Sequence, residues 1–329
     1  HLKGAHVPYM WLYVLLGFVV LVPNAVKWRV LAEARGIHAP VRYLVSLYLI
    51  GGFFNNFLPT SVGGDVVRGY VLGKAYGKFT DAMASVFVER FVGYTVLVLF
   101  GLLAIALDQK LRADIRLVAP ITIAAVAYVG ILWMILNESW LRLAQKWLPG
   151  KTIQKCLAKT NAFHQIITLY RHEPKALLKA GGYSILFYFF SVVTVYVGCL
   201  TFHAAVSFVG LLAAVPVLLI LFMVPFSLGG IGLQEWAYFY VLTIVGVPAP
   251  VSISLALLFR LRSVAFGLVG GVIYPFVTIG ELSLAKPTEI EKTPRGIVHK
   301  DPVGISESQI LPSIDDLDCM RAKRKAKVL

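Results

Sequence analysis

Five apolar segments, each long enough to cross a lipid bilayer, constrain the fold of this chain more than any other feature. An α-helix needs about 20 apolar residues to cross the hydrocarbon core. The segments are Tyr9–Val26, Ala82–Leu107, Leu117–Leu136, Gly181–Leu200 and Val251–Ile279. Hydrophobic residues make up 58% of the 329 residues and charged residues only 15%, which is unlike a soluble domain. The pattern predicts an all-α polytopic membrane protein rather than an alternating β-barrel.

A six-residue phrase, Pro-x-Ser-aliphatic-Gly-Gly, occurs twice, at Pro59–Gly64 and at Pro225–Gly230. Shorter apolar stretches, Tyr43–Leu58 and Phe208–Val224, lead directly into the two copies. Helix-breaking residues at corresponding positions in two halves of a membrane protein indicate a substrate site. The alternative is a pair of ordinary Pro/Gly kinks in spanning helices, where these residues are common.

Basic residues in the loops predict how the chain is oriented, because Lys and Arg accumulate on cytoplasmic loops. Asn137–Ala180 has eight basic residues against two acidic ones, a net charge of +6, and Lys27–Arg42 has a net charge of +3. Both would be cytoplasmic, so both ends of Tyr43–Leu58 would lie inside. The same counting places both ends of Phe208–Val245 outside. We therefore expect an inverted-repeat-like helical bundle with two re-entrant (broken) helices that enter from opposite faces.

Two polar regions accompany the membrane domain, which we assign to residues 1–281. Within residues 137–180, apolar side chains share one helical face and Lys151, Lys155 and Lys159 share another. This pattern favours an amphipathic helix on the anionic inner leaflet, and a solvated cytoplasmic helix pair is the alternative. Residues 282–329 are polar and end in a run of five basic residues. We expect them to form a disordered cytoplasmic tail.

The candidate ligand-binding residues lie around the two copies of the phrase and inside neighbouring apolar runs. The glycines leave backbone N–H groups accessible to phosphate oxygens, and the planar guanidinium of Arg68 would donate two parallel hydrogen bonds to the same phosphate. Asp65 would cap the following helix, pair with Arg68 or hold the amine of a zwitterionic head group. Glu235 matches the position of Arg68 to within one residue, with opposite charge, so the two would form a gate or a two-point clamp. The predicted substrate-binding set is Asn55, Asn56, Ser61, Gly63, Gly64, Asp65, Arg68, Glu89, Arg90, Ser227, Gly229, Gly230, Gly232, Glu235 and Arg260.

Ionisable residues inside apolar runs are costly and usually face a bundle interior or a cavity. Glu89 and Arg90 are adjacent, so they point in different directions and need separate partners. Snorkelling to the cytoplasmic interface is the alternative. Arg260 and Arg262 would neutralise Glu235 or Glu89, or meet a lipid phosphate.

The sequence contains no recognisable catalytic or metal-binding set. The three cysteines, Cys156, Cys199 and Cys319, are far apart and form no C-x-x-C pair. There is no H-E-x-x-H, Walker A or Ser-His-Asp pattern. We therefore predict that the chain is not an enzyme, that it uses no cofactor or metal, and that nucleic acid is not its partner.

The sequence resembles the flippase-like membrane region of lysylphosphatidylglycerol synthases and its free-standing relatives. The resemblance rests on Phe53–Arg68, Ser85–Arg90, Val224–Glu235 and Gly246–Pro248, and it spans Tyr9 to Ile279. It implies a polytopic protein that binds or moves lipid head groups across the cytoplasmic membrane. The synthases' separate aminoacyltransferase domain has no counterpart here. The family usually has one more helix before Tyr9, so we expect the chain to lack its start.

The leading hypothesis is a lipid flippase or transporter that binds a phospholipid or lipid-linked head group between the two hairpins. One alternative is a membrane subunit of a phospholipid aminoacyltransferase, and another is a non-transporting membrane scaffold. The expected partners are the lipid substrate and the anionic inner leaflet, with a second copy of the chain or a separate cytoplasmic synthase as further alternatives. We expect a multi-pass protein of the cytoplasmic membrane with a cytoplasmic C-terminus.

Overall fold

The computed structural model describes residues 6–57, 63–107, 109–136, 168, 170–222 and 230–284, and these residues form helices joined by short turns. The helices are α1 (Val7–Glu33), α2 (Val41–Phe57), α3 (Gly63–Tyr76), α4 (Phe79–Leu107), α5 (Gln109–Ala113), α6 (Ile115–Leu136), α7 (Pro174–Thr201), α8 (Phe208–Leu221), α9 (Leu233–Ile244) and α10 (Ala249–Leu284). The predicted all-α class is confirmed.

Five of these helices are long and apolar enough to cross a membrane. They are α1, α4, α7, residues Ile115–Trp133 of α6 and residues Ala249–Val277 of α10. All five correspond to the apolar segments predicted from the sequence. The prediction of a multi-pass membrane protein is therefore confirmed.

Two helices extend about two turns beyond their predicted bounds. Helix α7 begins at Pro174 rather than near Gly181, because proline is favoured in the first turn of a helix. Helix α1 continues past Val26 to Glu33. Lys27, which we counted as a cytoplasmic loop charge, is therefore a helical residue, and it is only 3% exposed. Its charge is directed into the protein and does not bear on orientation.

The first copy of the phrase lies between two helices that pack against each other, α2 and α3. A Cβ atom on Gly51 would lie 3.0 Å from the carbonyl oxygen of Gly64, so the two backbones meet where only glycine fits. Residues 58–62, at the centre of the phrase, lie outside the described residues. The re-entrant placement of this helix pair stays a prediction.

The second copy lies between α8 and α9, and residues 223–229 are outside the described residues. Gly230 and Gly232 have φ angles of 73° and 83°, in the left-handed region that glycine adopts without strain. Helix α8 has 14 residues, which is too short for a full crossing. Its re-entrant placement and the inverted-repeat relation of the two halves also stay predictions.

Three apolar clusters form the core of the described part of the chain. One joins α7, α8 and α9 with parts of α4, α6 and α10, and a second joins α1, α2 and α3 with parts of α4 and α10. The third and smallest joins α1, α4 and α7 around Tyr170. Helix α1 packs along α7, and α2 packs along α10. Residues 137–167, most of the predicted amphipathic segment, and residues 285–329, most of the predicted tail, lie outside the described residues. Helix α10 continues to Leu284, three residues into the tail that we predicted over 282–329.

Candidate functional site

A cavity of about 320 Å³ lies between α1, α2, α3, α4, α7 and α8. Its apolar wall includes Leu97, Phe187, Leu219 and Phe222. Its polar lining comes from five of these six helices: Asn24, Lys27, Tyr48, Asn55, Asp65, Arg68, Glu89, Arg90, Tyr94 and Ser184. Five residues of the predicted set are therefore brought together here, namely Asn55, Asp65, Arg68, Glu89 and Arg90.

A chain of ion pairs with alternating sign lines the cavity, and we call Lys27, Glu89, Arg68, Asp65 and Arg90 the ionic network. The Glu89 carboxylate accepts hydrogen bonds from Lys27 Nζ at 2.8 Å and from Arg68 Nη2 at 2.5 Å. Arg68 Nε donates to Asp65 Oδ1 at 3.0 Å, and Asp65 Oδ2 pairs with Arg90. Lys27, Arg68 and Glu89 are at most 4% exposed. The snorkelling alternative for Glu89 is therefore wrong, because the carboxylate is buried between two cations.

The ionic network carries one more positive than negative charge. Lys27, Arg68 and Arg90 are cations and Asp65 and Glu89 are anions, which leaves a net charge of +1. Arg68 Nη1 and Asn24 Oδ1 are buried and have no hydrogen-bond partner among the described residues. Both residues line the cavity. Unpartnered buried polar atoms are costly, and a bound group that accepts from the guanidinium would remove part of that cost.

Two aromatic rings hold the Arg68 guanidinium in place. Its Cζ lies 4.3 Å from the centroid of the Tyr48 ring and 4.7 Å from that of Trp28, distances typical of cation–π contacts. Trp28 is fixed in turn, because its Nε1 donates to Ser85 Oγ at 3.0 Å. Lys27, Trp28 and Tyr48 were not in the predicted set. Little in the sequence indicates that these residues belong to the site. Lys27 and Trp28 lie within one turn of the predicted end of the first span, and Tyr48 resembles an ordinary apolar residue of a span.

Asn55, Asn56 and the first glycines are placed around the start of α3. The Asn55 side-chain oxygen accepts from the backbone N–H of Gly64 at 2.7 Å, which satisfies one free donor of the helix N-terminus. Gly63 is the first residue of α3. Asn56 instead donates to the Ser263 carbonyl oxygen at 3.4 Å and does not line the cavity. Of the roles considered for Asp65, the structure shows the pair with Arg68.

Glu235 forms a separate pair that does not line the cavity. Its carboxylate accepts from Arg260 Nε at 2.9 Å and from the backbone N–H of Gly232 at 2.7 Å. Glu235 and Arg68 therefore do not line the same cavity, as the predicted gate or two-point clamp requires. Glu235 is the third residue of α9, where a carboxylate reaches back to cap its own helix. Of the partners considered for Arg260, the structure shows Glu235.

Three predicted residues, Ser61, Ser227 and Gly229, lie outside the described residues. Gly230 and Gly232 shape the entry into α9 through their positive φ angles. Across the described ranges, no group of three or more His, Cys, Asp or Glu side chains is placed to hold a metal ion. The site that the structure does build is thus the ionic network and its cavity.

Comparison with known proteins gives one family and two relatives. The model of the family described as "Lysylphosphatidylglycerol synthase TM region" matches residues 1–271. A UPF0104 membrane protein of Methanothermobacter thermautotrophicus is 22% identical over 281 residues, covering 80% of this chain and 83% of the relative. A UPF0104 membrane protein of Pyrococcus horikoshii is 23% identical over 281 residues, covering 79% and 84%. No solved structure matches significantly.

Proposed function

Because the chain belongs to the family of the lysylphosphatidylglycerol synthase transmembrane region, we propose that it binds the head group of a phospholipid or lipid-linked substrate in the cavity and moves that lipid between the leaflets. The cavity lies among helices that include three candidate spans, α1, α4 and α7. A polar chamber inside a membrane domain is where a head group would be sheltered from the hydrocarbon.

The observation that carries this proposal is the excess positive charge of the ionic network. A phosphodiester has one negative charge and several acceptor oxygens, so it would bring the net charge of +1 to zero. It would also accept from the unpartnered Arg68 Nη1. The apolar wall formed by Leu97, Phe187 and Phe222 suits the glycerol backbone and the first carbons of the acyl chains.

We further propose that the protein acts by binding and conformational change, without covalent chemistry, in the cytoplasmic membrane with its C-terminus in the cytoplasm. Cysteine accessibility tests the orientation. A single cysteine placed at Val7 and another placed at Thr80 should be labelled from opposite sides if the first hairpin is re-entrant as predicted. Labelling of both from one side would contradict that arrangement.

The transport proposal is tested by Arg68→Gln in proteoliposomes that contain fluorescent phosphatidylglycerol, with dithionite quenching as the measure of lipid movement. This substitution removes the excess charge but leaves the Lys27–Glu89 and Arg90–Asp65 pairs balanced, so the fold should persist. A hydrogen bond to a charged group contributes about 1.5–3 kcal/mol, so the rate should fall about ten-fold or more.

The matched control is Arg116→Gln, because Arg116 is paired with Asp114 but its side chain is 56% exposed. It should move lipid at the wild-type rate. Equal rates in the two variants would contradict the proposed site. A wild-type rate no higher than that of protein-free vesicles would contradict transport itself, and lipid mass spectrometry of the purified protein would then show whether binding remains.

A further inference from the structure

Arg262 lies near the middle of the candidate span Ala249–Val277, yet it is not part of any ion pair among the described residues. Arg260, two residues earlier on α10, is paired with Glu235. The two arginines of this helix therefore differ: Arg260 has a counter-ion, and Arg262 has none within the described ranges.

The Arg262 side chain is held by aromatic and backbone contacts. Its Cζ lies 4.5 Å from the centroid of the Tyr13 ring and 5.3 Å from that of Phe259. Its aliphatic stem lies over Gly17, where an added Cβ would be 2.7 Å from Arg262 Cδ. The absence of a side chain at Gly17 gives the arginine its space. The guanidinium is thus positioned rather than free to move towards a membrane surface.

The positive charge of Arg262 is not compensated by any carboxylate of the described residues. Arg262 Nη1 is buried and has no hydrogen-bond partner among the described residues. Cation–π attraction from two rings is smaller than the cost of placing a guanidinium at the centre of a span. Intramembrane cations of this kind usually meet a counter-ion, and within the described part of the chain no carboxylate serves as one.

Arg262 is also connected to the head-group cavity. Phe259, which contacts Arg262, lies 5.5 Å from Phe222 between ring centroids, and Phe222 lines the cavity. Phe259 and Phe222 therefore form a chain of aromatic contacts from Arg262 to the lining of the cavity.

We propose that Arg262 is a second anion-binding position, which takes the phosphodiester of a membrane lipid. The planar guanidinium offers two parallel donors to phosphate oxygens, and its place in mid-span favours an anion that arrives with acyl chains. This inference rests on the proposed function in one respect: the lipid at Arg262 is of the class that binds at Arg68. The alternative is a purely structural role, in which Arg262 only joins α1 to α10.

Native mass spectrometry of the purified protein tests this, with phosphatidylglycerol as the probe and diacylglycerol of the same acyl chains as its phosphate-free counterpart. The wild type should bind two phosphatidylglycerol molecules that diacylglycerol does not displace. Arg262→Gln should lose one of them, with an affinity lowered about ten-fold or more. Arg68→Gln should lose the other, and the double variant should lose both. Arg262→Lys, which keeps the charge but not the planar fork, should be intermediate.

The outcomes separate the two proposals. If Arg262→Gln leaves both phosphatidylglycerol molecules bound, the inference is wrong, while a loss in Arg68→Gln would still support the head-group site. If only Arg262→Gln loses a lipid, the inference stands and the cavity site fails. Competition by millimolar inorganic phosphate at the Arg262 position would mean that a free anion, not a lipid, binds there, and would overturn the lipid assignment.

A variant that keeps every charge guards against misfolding of Arg262→Gln. Gly17→Ala would push the arginine stem aside through the added Cβ. It should lower the affinity of the same phosphatidylglycerol molecule. Unchanged binding in Gly17→Ala, together with a lowered melting temperature, would show that Arg262 only packs between α1 and α10.

Discussion

Glu89→Gln is the sharpest test of the ionic network, because Glu89 is its central carboxylate. It contacts Lys27 Nζ at 2.8 Å and Arg68 Nη2 at 2.5 Å, and all three side chains are at most 5% exposed. The substitution keeps the shape of the side chain but removes its charge. Two buried cations then share a neutral amide, and the net charge of the network rises from +1 to +2.

The expected loss of stability follows from burial. Removing one partner of a buried ion pair costs about 3–5 kcal/mol, because an uncompensated charge remains inside. The matched control is Glu33→Gln, which breaks the Arg29–Glu33 pair at 2.6 Å, where the side chains are 45% and 33% exposed. An exposed pair of this kind contributes less than about 1 kcal/mol. The double variant Lys27→Met, Glu89→Gln restores the net charge of +1 and should recover about 1–3 kcal/mol.

Reversible unfolding in mixed detergent micelles, with an increasing fraction of dodecyl sulfate, measures these differences on the purified protein. Glu89→Gln should unfold at a clearly lower fraction than wild type, Glu33→Gln should nearly match wild type, and the double variant should lie between. If Glu89→Gln destabilises no more than Glu33→Gln, water or another group already compensates the network. The charge argument for the cavity would then be wrong.

Two further predictions concern the helix contacts and a loop. Gly64→Ala should lower the melting temperature by several degrees, because the added Cβ would collide with the Gly51 carbonyl group and overpacking costs about 1–3 kcal/mol. The control is Gly52→Ala, where an added Cβ meets nothing within 4 Å, and it should not lower the melting temperature. Asp114 accepts two side-chain hydrogen bonds from Arg116, at 2.9 and 2.7 Å, and these bonds hold the pKa of Asp114 below its ordinary value. The stability that Asp114 adds is therefore present above about pH 4, the ordinary pKa of an aspartate, and is lost as the pH falls through the lower folded-state pKa. The melting temperatures of wild type and Asp114→Asn should therefore converge as the pH falls below about 4.

The sequence was enough to predict the five spans and five of the residues that line the cavity. Apolar runs about 20 residues long have few alternatives to spanning helices, and charged residues inside them are rare enough to be noticed singly. Glu89 and Arg90 were found in this way, Asp65 and Arg68 were found from their place after the first copy of the phrase, and all four line the cavity. The structure adds their pairing, which depends on contacts between α1, α3 and α4 that no local pattern encodes.

Lys27 shows why the rest could not be predicted. A lysine just after an apolar run normally marks the end of a span, and the loop-charge rule was applied to it for that reason. The helix continues for six more residues, however, and turns the lysine towards Glu89, which is 62 residues away in the chain. Trp28 and Tyr48 were missed for a related reason: an aromatic ring that holds a guanidinium cannot be distinguished in sequence from one that faces lipid.

The two copies of the repeated phrase are followed by charges that the fold uses differently. Arg68, in the second turn of α3, has a long side chain with a planar fork, so it bridges the carboxylates of Asp65 and Glu89 across two helices. Glu235, in the first turn of α9, is short and lies beside the free N–H groups of its own helix, so it caps Gly232 and then pairs with Arg260. Glu235 is thus held at the start of its own helix, whereas the longer Arg68 side chain reaches a neighbouring helix. The repeat therefore predicts where the helices break, and the residue type that follows each break decides whether a charge reaches the cavity.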